Sequence, residues 1–504
     1  MKEILYIQAG TQANYIGTHF WNTQESYFTY EDGEVPETDH GISFREGLNQ
    51  KGEPTFCPRL LAFDHKAQFG TLNQANALFG MDASADEHIL WPGNPVEYKQ
   101  EPVSKSHYQI DMDMEELDIN AGYASSAVQL EDIQYWSDFN RLFYVPRTIQ
   151  KIPDIPEWED AEGNWTGGHE MFTRYDEDTG LMEGPLRLFL EECETIQGIQ
   201  LMHDTSTFGS FVDAFLTSVR DDFAKMPLFS WPLLSDVIPF KPVDNTLGVR
   251  KLINDALAMR SLSELSSLSV PIQSPTTWTD EVCSNTYMHA SRAHAYHTSA
   301  IMSAHIETVT FPLRRRATKD DILSFSAPLT WTTAVPFAEL KVQHPAQPNL
   351  AIIVMMLRED SPPRPSHLIM NSSTAPVSRI LWYPVPTLRH ILSPHHSLLF
   401  SVPPRAPLCR RAAPGRLEEG SCLNPARSLS SLLLGGTRGF FSGYAQFLDD
   451  NIRRRKNIVE NAGIDLDLDE MGDLANDLWT LHDNVGGETD DPGSDGDVRG
   501  EDED

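Results

Sequence analysis

The chain has few cysteines for its 504 residues, and the five it has (Cys57, Cys193, Cys283, Cys409 and Cys422) include no C-x-x-C pair. That spacing excludes a zinc ribbon and a disulfide scaffold, and it fits a reducing compartment. Positive charge is also scarce: 39 Lys and Arg stand against 73 Asp and Glu, for a formal net charge of −34. Such a balance excludes direct nucleic-acid binding through a general phosphate-neutralising surface and leaves basic partners open. Long apolar runs are missing as well. The longest, Leu350 to Leu357, is far short of the ~20 residues that cross a bilayer, so any membrane association is expected to be peripheral. An opening strand at residue 4, with no basic leader before it, predicts no presequence. His289, His294, His297 and His305 lack the interleaved carboxylate of a zinc helix, so no metal site is expected and the histidines read as a solvent-side cluster.

Hydrophobic residues at 40% and charged residues at 22% describe a soluble globular protein long enough for two or three domains. Ile4, Leu5 and Ile7 form an apolar run ending at Gly10, followed by Ala13, Ile16, Phe20 and Trp21 at helical spacing. This predicts strand, tight turn and helix, a unit whose backbone N–H groups can approach phosphate oxygens. Glu31 to Pro54 reads as loop. Pro58 to Asp64 reads as a strand ending in a carboxylate, and Arg141 to Arg147 as a strand-like run closing on Pro146. Leu186 to Gln200 reads as an amphipathic helix with Leu186, Phe189, Leu190 and Cys193 on one face, and Phe211 to Phe223 as another. Ser261 to Pro275 reads as a partly buried helix followed by a strand. Phe447 to Val459 is a helix candidate, and Leu466, Leu468, Met471, Leu474, Leu478 and Trp479 make a short amphipathic helix before an acidic, solvated tail.

The opening words Glu3-Ile4, Ile7-Gln8-Ala9-Gly10, Gln12, Asn14, Ile16-Gly17 and Phe20-Trp21 resemble the start of tubulin. Further segments agree in the same order: Pro58-Arg59 to Asp64, Gly163-Asn164-Trp165 to His169, Cys193 to Ile199, Pro242 to Val249, Phe311 to Arg314 and Ser326 to Thr330. The resemblance implies an α/β, tubulin/FtsZ-like fold with a Rossmann-like, nucleotide-binding-type N-terminal domain over 1–260 that carries an insert at about 74–150. It also implies a second α/β domain beginning at 261–345, a C-terminal helical part at 439–480, and a disordered acidic tail at 481–504. Between them, 346–438 is rich in Pro, Ser and Arg, with no Asp or Glu from 361 to 417. Two readings account for it: a Pro-rich partner-binding linker, or non-coding sequence translated through an error in the gene model, since neither helical nor strand periodicity is sustained.

Two departures bear on chemistry. Where tubulin has a run of glycines around the phosphates, this chain has His203-Asp204-Thr205-Ser206-Thr207-Phe208-Gly209-Ser210, in which Phe208 is expected to crowd the pocket and Asp204 to repel phosphate. The hydroxyls of Thr205, Ser206 and Thr207 then serve to cap the following helix. Lys66 stands where tubulin has a metal-side Glu, a charge reversal beside a magnesium site. By the resemblance, Gly10, Thr11, Gln12, Asn164, Gly209 and Ser210 are the candidates for a degenerate GTP site, with GTP the one cofactor to consider. The insert, with Trp136-Ser137-Asp138-Phe139 followed by Pro146-Arg147, resembles the Misato family, called Dml in yeast. That resemblance implies a non-catalytic, tubulin-like protein involved in partitioning mitochondria and inheriting mitochondrial DNA. It would act from the cytoplasm and the outer face of mitochondria, through contacts of the insert and tail with mitochondrial-surface or cytoskeletal proteins. The alternative is a GTP-binding cytoskeletal GTPase.

Overall fold

A computed structural model of the protein describes residues 2–28, 36–48, 54–70, 72, 133–153, 163–243, 245–278, 284–285, 288–289, 291–317, 320–330, 335–343, 351–352, 429–433, 438–453 and 466–485. Most of the expected insert, the interior of 346–438 and the acidic tail lie outside these residues.

Apolar runs at the start of the chain and after each crossover form a parallel sheet buried on both faces, as continuous rather than alternating hydrophobic strands require. Its strands are β1 (Glu3–Ala9), β4 (Leu60–His65), β5 (Ile149–Ile152), β6 (Ile196–Asp204), β7 (Leu228–Leu233) and β8 (Leu268–Ser269), ordered β5-β4-β1-β6-β7-β8. A small antiparallel pair, β2 (Phe44–Leu48) with β3 (Pro54–Pro58), precedes β4. It occupies part of the region expected to be loop, because Phe44 and Cys57 are apolar enough to be buried.

One face of the sheet is covered by α2 (Trp165–Thr179), α4 (Thr205–Asp222), α5 (Thr246–Leu265), α8 (Arg438–Arg453) and α9 (Leu468–Val485), whose apolar stripes share one core with Leu5, Ile7, Phe63, Ile199 and Leu201. Opposite lie α1 (Thr11–Glu25) and α6 (Ala295–Thr310), packed with the end of the insert on Ile4, Tyr6, Met202, Phe229 and Trp231. Helix α7 (Ile322–Thr330) flanks this layer through Ile322 and Phe325. A three-layer α/β/α body results. The boundary expected at 260 falls inside α5, and β8 continues the same sheet beyond it. Glu339–Gln343 pairs antiparallel with Ala351–Ile352 and Leu429–Leu433.

Several expectations are corrected. Only Arg187–Glu191 (α3) of the predicted 186–200 helix is helical, and β6 begins at Ile196. Helix α4 starts at Thr205, six residues before Phe211, and α8 ends at Arg453 rather than Val459. Residues 141–147 make no strand; short 3-10 turns at Trp136–Phe139 and Pro146–Thr148 lead into β5. The described end of the insert is no exposed contact surface, because Trp136, Phe139, Leu142 and Tyr144 are buried. His297 and His305 are buried in α6, where burial pushes each down to about 4.

Candidate functional site

In an open parallel sheet the ligand crevice opens beyond the carboxyl ends of the strands, where the strand order reverses. Here that point lies between β1 and β6, the strands that feed α1 and α4. Gly10 makes the turn out of β1 with φ 106° and ψ 160°, a conformation that suits glycine. The first N–H groups of α1 then point into the crevice without intrahelical partners, a ready anion site.

The chain fills that site itself. Asp204, at the end of β6, accepts from the backbone N–H of Gln12 (2.9 Å, Oδ2) and of Ala13 (2.9 Å, Oδ1). A side-chain carboxylate thus sits where a phosphate would sit, satisfying the helix start and its dipole from within. Burial pushes Asp204 up to about 7, and the nearby Asp64 charge adds to the shift against the two N–H bonds. Its fit to Gly10 is close. A Cβ at Gly10 would lie 2.5 Å from Asp204 Oδ2, so Gly10→Ala should cost about 1–3 kcal/mol through strain and displacement of the carboxylate. Thermal melts of the two proteins measure it, and an unchanged midpoint would show the carboxylate to be loosely held.

Asp64, at the end of β4, is fully buried, and its ring of donors is closed. Thr11 Oγ1 (3.1 Å) and the His65 N–H (2.9 Å) donate to Oδ1, while Asn14 Nδ2 (3.1 Å) and the indole Nε1 of Trp136 (3.1 Å) donate to Oδ2. Burial still raises it to about 6, with these bonds lowering it in part. Trp136 belongs to the insert, so the insert seals the position that the resemblance assigns to the metal side. Lys66 follows as an exposed residue. Among the described residues no group of three His, Cys, Asp or Glu side chains could hold a metal. A magnesium-bound triphosphate does not fit this arrangement: its anion position holds Asp204 and its metal-side carboxylate is saturated.

The structure brings together half of the expected site. Gly10, Thr11 and Gln12 converge on Asp204 and Asp64. Asn164 instead caps α2, accepting from Thr166 N (3.2 Å). Gly209 lies under Trp165, and Ser210 faces Gly168, so both serve the packing of α4 on α2. Phe208 is turned into the core against His65 and Phe211, with centroids 5.3 and 5.8 Å away, rather than into the crevice. Of the three hydroxyls expected to cap α4, Thr205 is turned inward instead, its Oγ1 lying 2.8 Å from Leu233 O and 2.5 Å from Asp255 Oδ1.

Sequence reasoning missed that carboxylate altogether. Asp255, on α5, is fully buried and also takes Ser235 Oγ (2.6 Å) and Tyr444 Oη (3.1 Å). It ties α4, the end of β7 and α8 to one point. An Asp in a helix of otherwise apolar buried residues was the only signal for it.

Comparison with known proteins agrees with this architecture. A model described as the Misato Segment II tubulin-like domain matches residues 2–114, and a Tubulin domain model matches 125–315. Protein DML1 of Gibberella zeae is 34% identical over 62% of this chain and 61% of its own length. Protein dml1 of Aspergillus oryzae is 35% identical over 64% and 62%, and Protein misato of Drosophila melanogaster 28% identical over 64% and 62%. The matched part of the chain therefore spans about three fifths of each relative's length. With both family models in sequence order, an α/β sheet of the tubulin kind and the Trp136 insert built into its crevice, the chain belongs to the Misato/Dml family of tubulin-related proteins.

Proposed function

We propose that this tubulin-related protein is a non-catalytic body, acting through protein contacts in the partitioning of mitochondria and the inheritance of mitochondrial DNA. The observation that carries the non-catalytic part is the Asp204 carboxylate bound to the Gln12 and Ala13 N–H groups. Phosphoryl transfer depends on positioned phosphates, a metal and an oriented water, and the internal carboxylate competes with the first of these. The mitochondrial part rests on the family resemblance. Peripheral attachment at the outer face of mitochondria is compatible with the described helices, none of which is long and apolar enough to cross a membrane.

Purified protein titrated with a fluorescent GTP analogue and Mg²⁺ should show no saturable stoichiometric binding at micromolar concentrations. Tight binding with turnover would replace this reading with the GTPase one. For the cellular role, deleting 74–130 while keeping the buried 133–150 end should impair mitochondrial distribution in a complementation assay more than Gly10→Ala does. Equal or reversed severity would remove the insert from the contact surface.

A further inference from the structure

With the crevice between β1 and β6 closed by Asp204, an opening remains one strand over. A cleft of about 200 Å³ lies above the carboxyl ends of β6, β7 and β8, between the first turns of α1 and α4 and helix α6. Its apolar walls are Leu233, Leu234, Ile272 and Met302. Its charged lining residues are Asp204 and Asp236, and Asp236 is paired with Lys251 at 2.7 Å.

Two amide side chains in this lining are unsatisfied. Gln273 is 4% exposed, and its Nε2 donates to Ser235 O (3.1 Å), which fixes the orientation of the amide and leaves Oε1 buried with no partner among the described residues. Gln12 Nε2 is likewise buried and without a partner there. A buried polar atom left unpaired costs about 1–3 kcal/mol, and such groups in a native structure are ordinarily satisfied by something. One unused acceptor and one unused donor on a shared apolar cleft match the two halves of an amide: its N–H to Gln273 Oε1, its C=O to Gln12 Nε2.

We propose that this cleft is a binding site for a small, planar, uncharged carboxamide or lactam, and that it rejects the corresponding carboxylate. An anion would face Asp204 with no cation in the lining to balance it, whereas the amide pairs both orphaned atoms. The rejection of anions rests on the same carboxylate as the proposed function, but the two fail separately, because GTP binding tests one and amide binding the other.

The probes are nicotinamide, its anionic isostere nicotinate, and the cation benzamidinium, followed on the full chain by ligand-observed NMR and calorimetry. Nicotinamide is expected to bind at least tenfold more tightly than nicotinate. Gln273→Leu and Gln12→Leu, each checked for an unchanged fold by circular dichroism and melting, should each weaken it by about tenfold. Gln273→Glu, which keeps an acceptor but adds charge, separates loss of shape from loss of the hydrogen bond: it should retain more of the amide affinity than Gln273→Leu. Absence of nicotinamide binding at millimolar concentration, nicotinate binding as well as nicotinamide, or benzamidinium binding better than both would each overturn the proposal.

Discussion

Replacing Arg314 with methionine is expected to destabilise the fold by about 3–5 kcal/mol, the usual cost of leaving one member of a buried ion pair uncompensated. Arg314 Nη2 is bonded to Glu307 Oε2, and the two side chains are 1% and 2% exposed. Gln24 Nε2 donates to the same Glu307 oxygen at 2.5 Å, Arg314 Nη1 donates to Thr310 Oγ1 at 3.1 Å, and the guanidinium lies 4.9 Å from the Phe20 ring centroid. The pair therefore fastens α6 to α1 through atoms that have no access to water. Glu307→Leu alone should be equally severe. The double variant Glu307→Leu with Arg314→Met should recover much of the loss, since it removes both desolvation costs together. Denaturation midpoints of the four proteins form the cycle, and additive losses would show that the pair is not a coupled unit.

A second expectation concerns pH. Asp204 is raised to about 7 in the folded protein, so the native state holds a proton that the unfolded chain releases near 4. The stability this proton contributes is full below about pH 4 and is lost as pH rises through 7. Burial moves the histidines the other way: His203 falls to about 3, and His297 and His305 to about 4. Their contribution is present above the unfolded value near 6.5 and is lost as pH falls. The opposed titrations flatten the profile of the native sequence, and Asp204→Asn should uncover it. Near pH 5 the variant and the parent should melt alike, because the parent is protonated there. By pH 8 the variant should be more stable by about 2–4 kcal/mol, allowing for the partial exposure of Asp204. A variant weaker at every pH would instead mean that the two helix N–H bonds outweigh the burial of the charge.

The parts of this protein legible in its sequence are those where one local pattern dictates one structure. Ile4 to Gly10 and Ala13 to Trp21 predict β1, its turn and α1, which form at Glu3–Ala9 and Thr11–Glu25. Leu468 to Trp479 likewise predicts α9 within two turns of its end. Helix α6 was not legible in the same way. Every residue from Tyr296 to Thr310 is buried, so no polar face remains to reveal which way its histidines point. The 186–200 reading failed because Leu186, Phe189 and Leu190 carry a real helical stripe that runs without a proline into β6. Within the site, the charge at Asp204 was legible but its role was not. Its partners Gln12 and Ala13 lie more than 190 residues away, and no local pattern encodes a carboxylate closing a distant helix. The same holds for Trp136 reaching Asp64 across 72 residues.

The junction of Tyr444 with Asp255 also bears on how the molecule is made. Phe440, Phe441, Tyr444 and Leu448 complete the same apolar core that Leu5 and Ile7 begin, so a nascent chain leaving the ribosome carries an unfinished interior until its last helices emerge. Synthesis at about 5–20 residues per second leaves that surface open for tens of seconds, long enough for a holding chaperone to engage it.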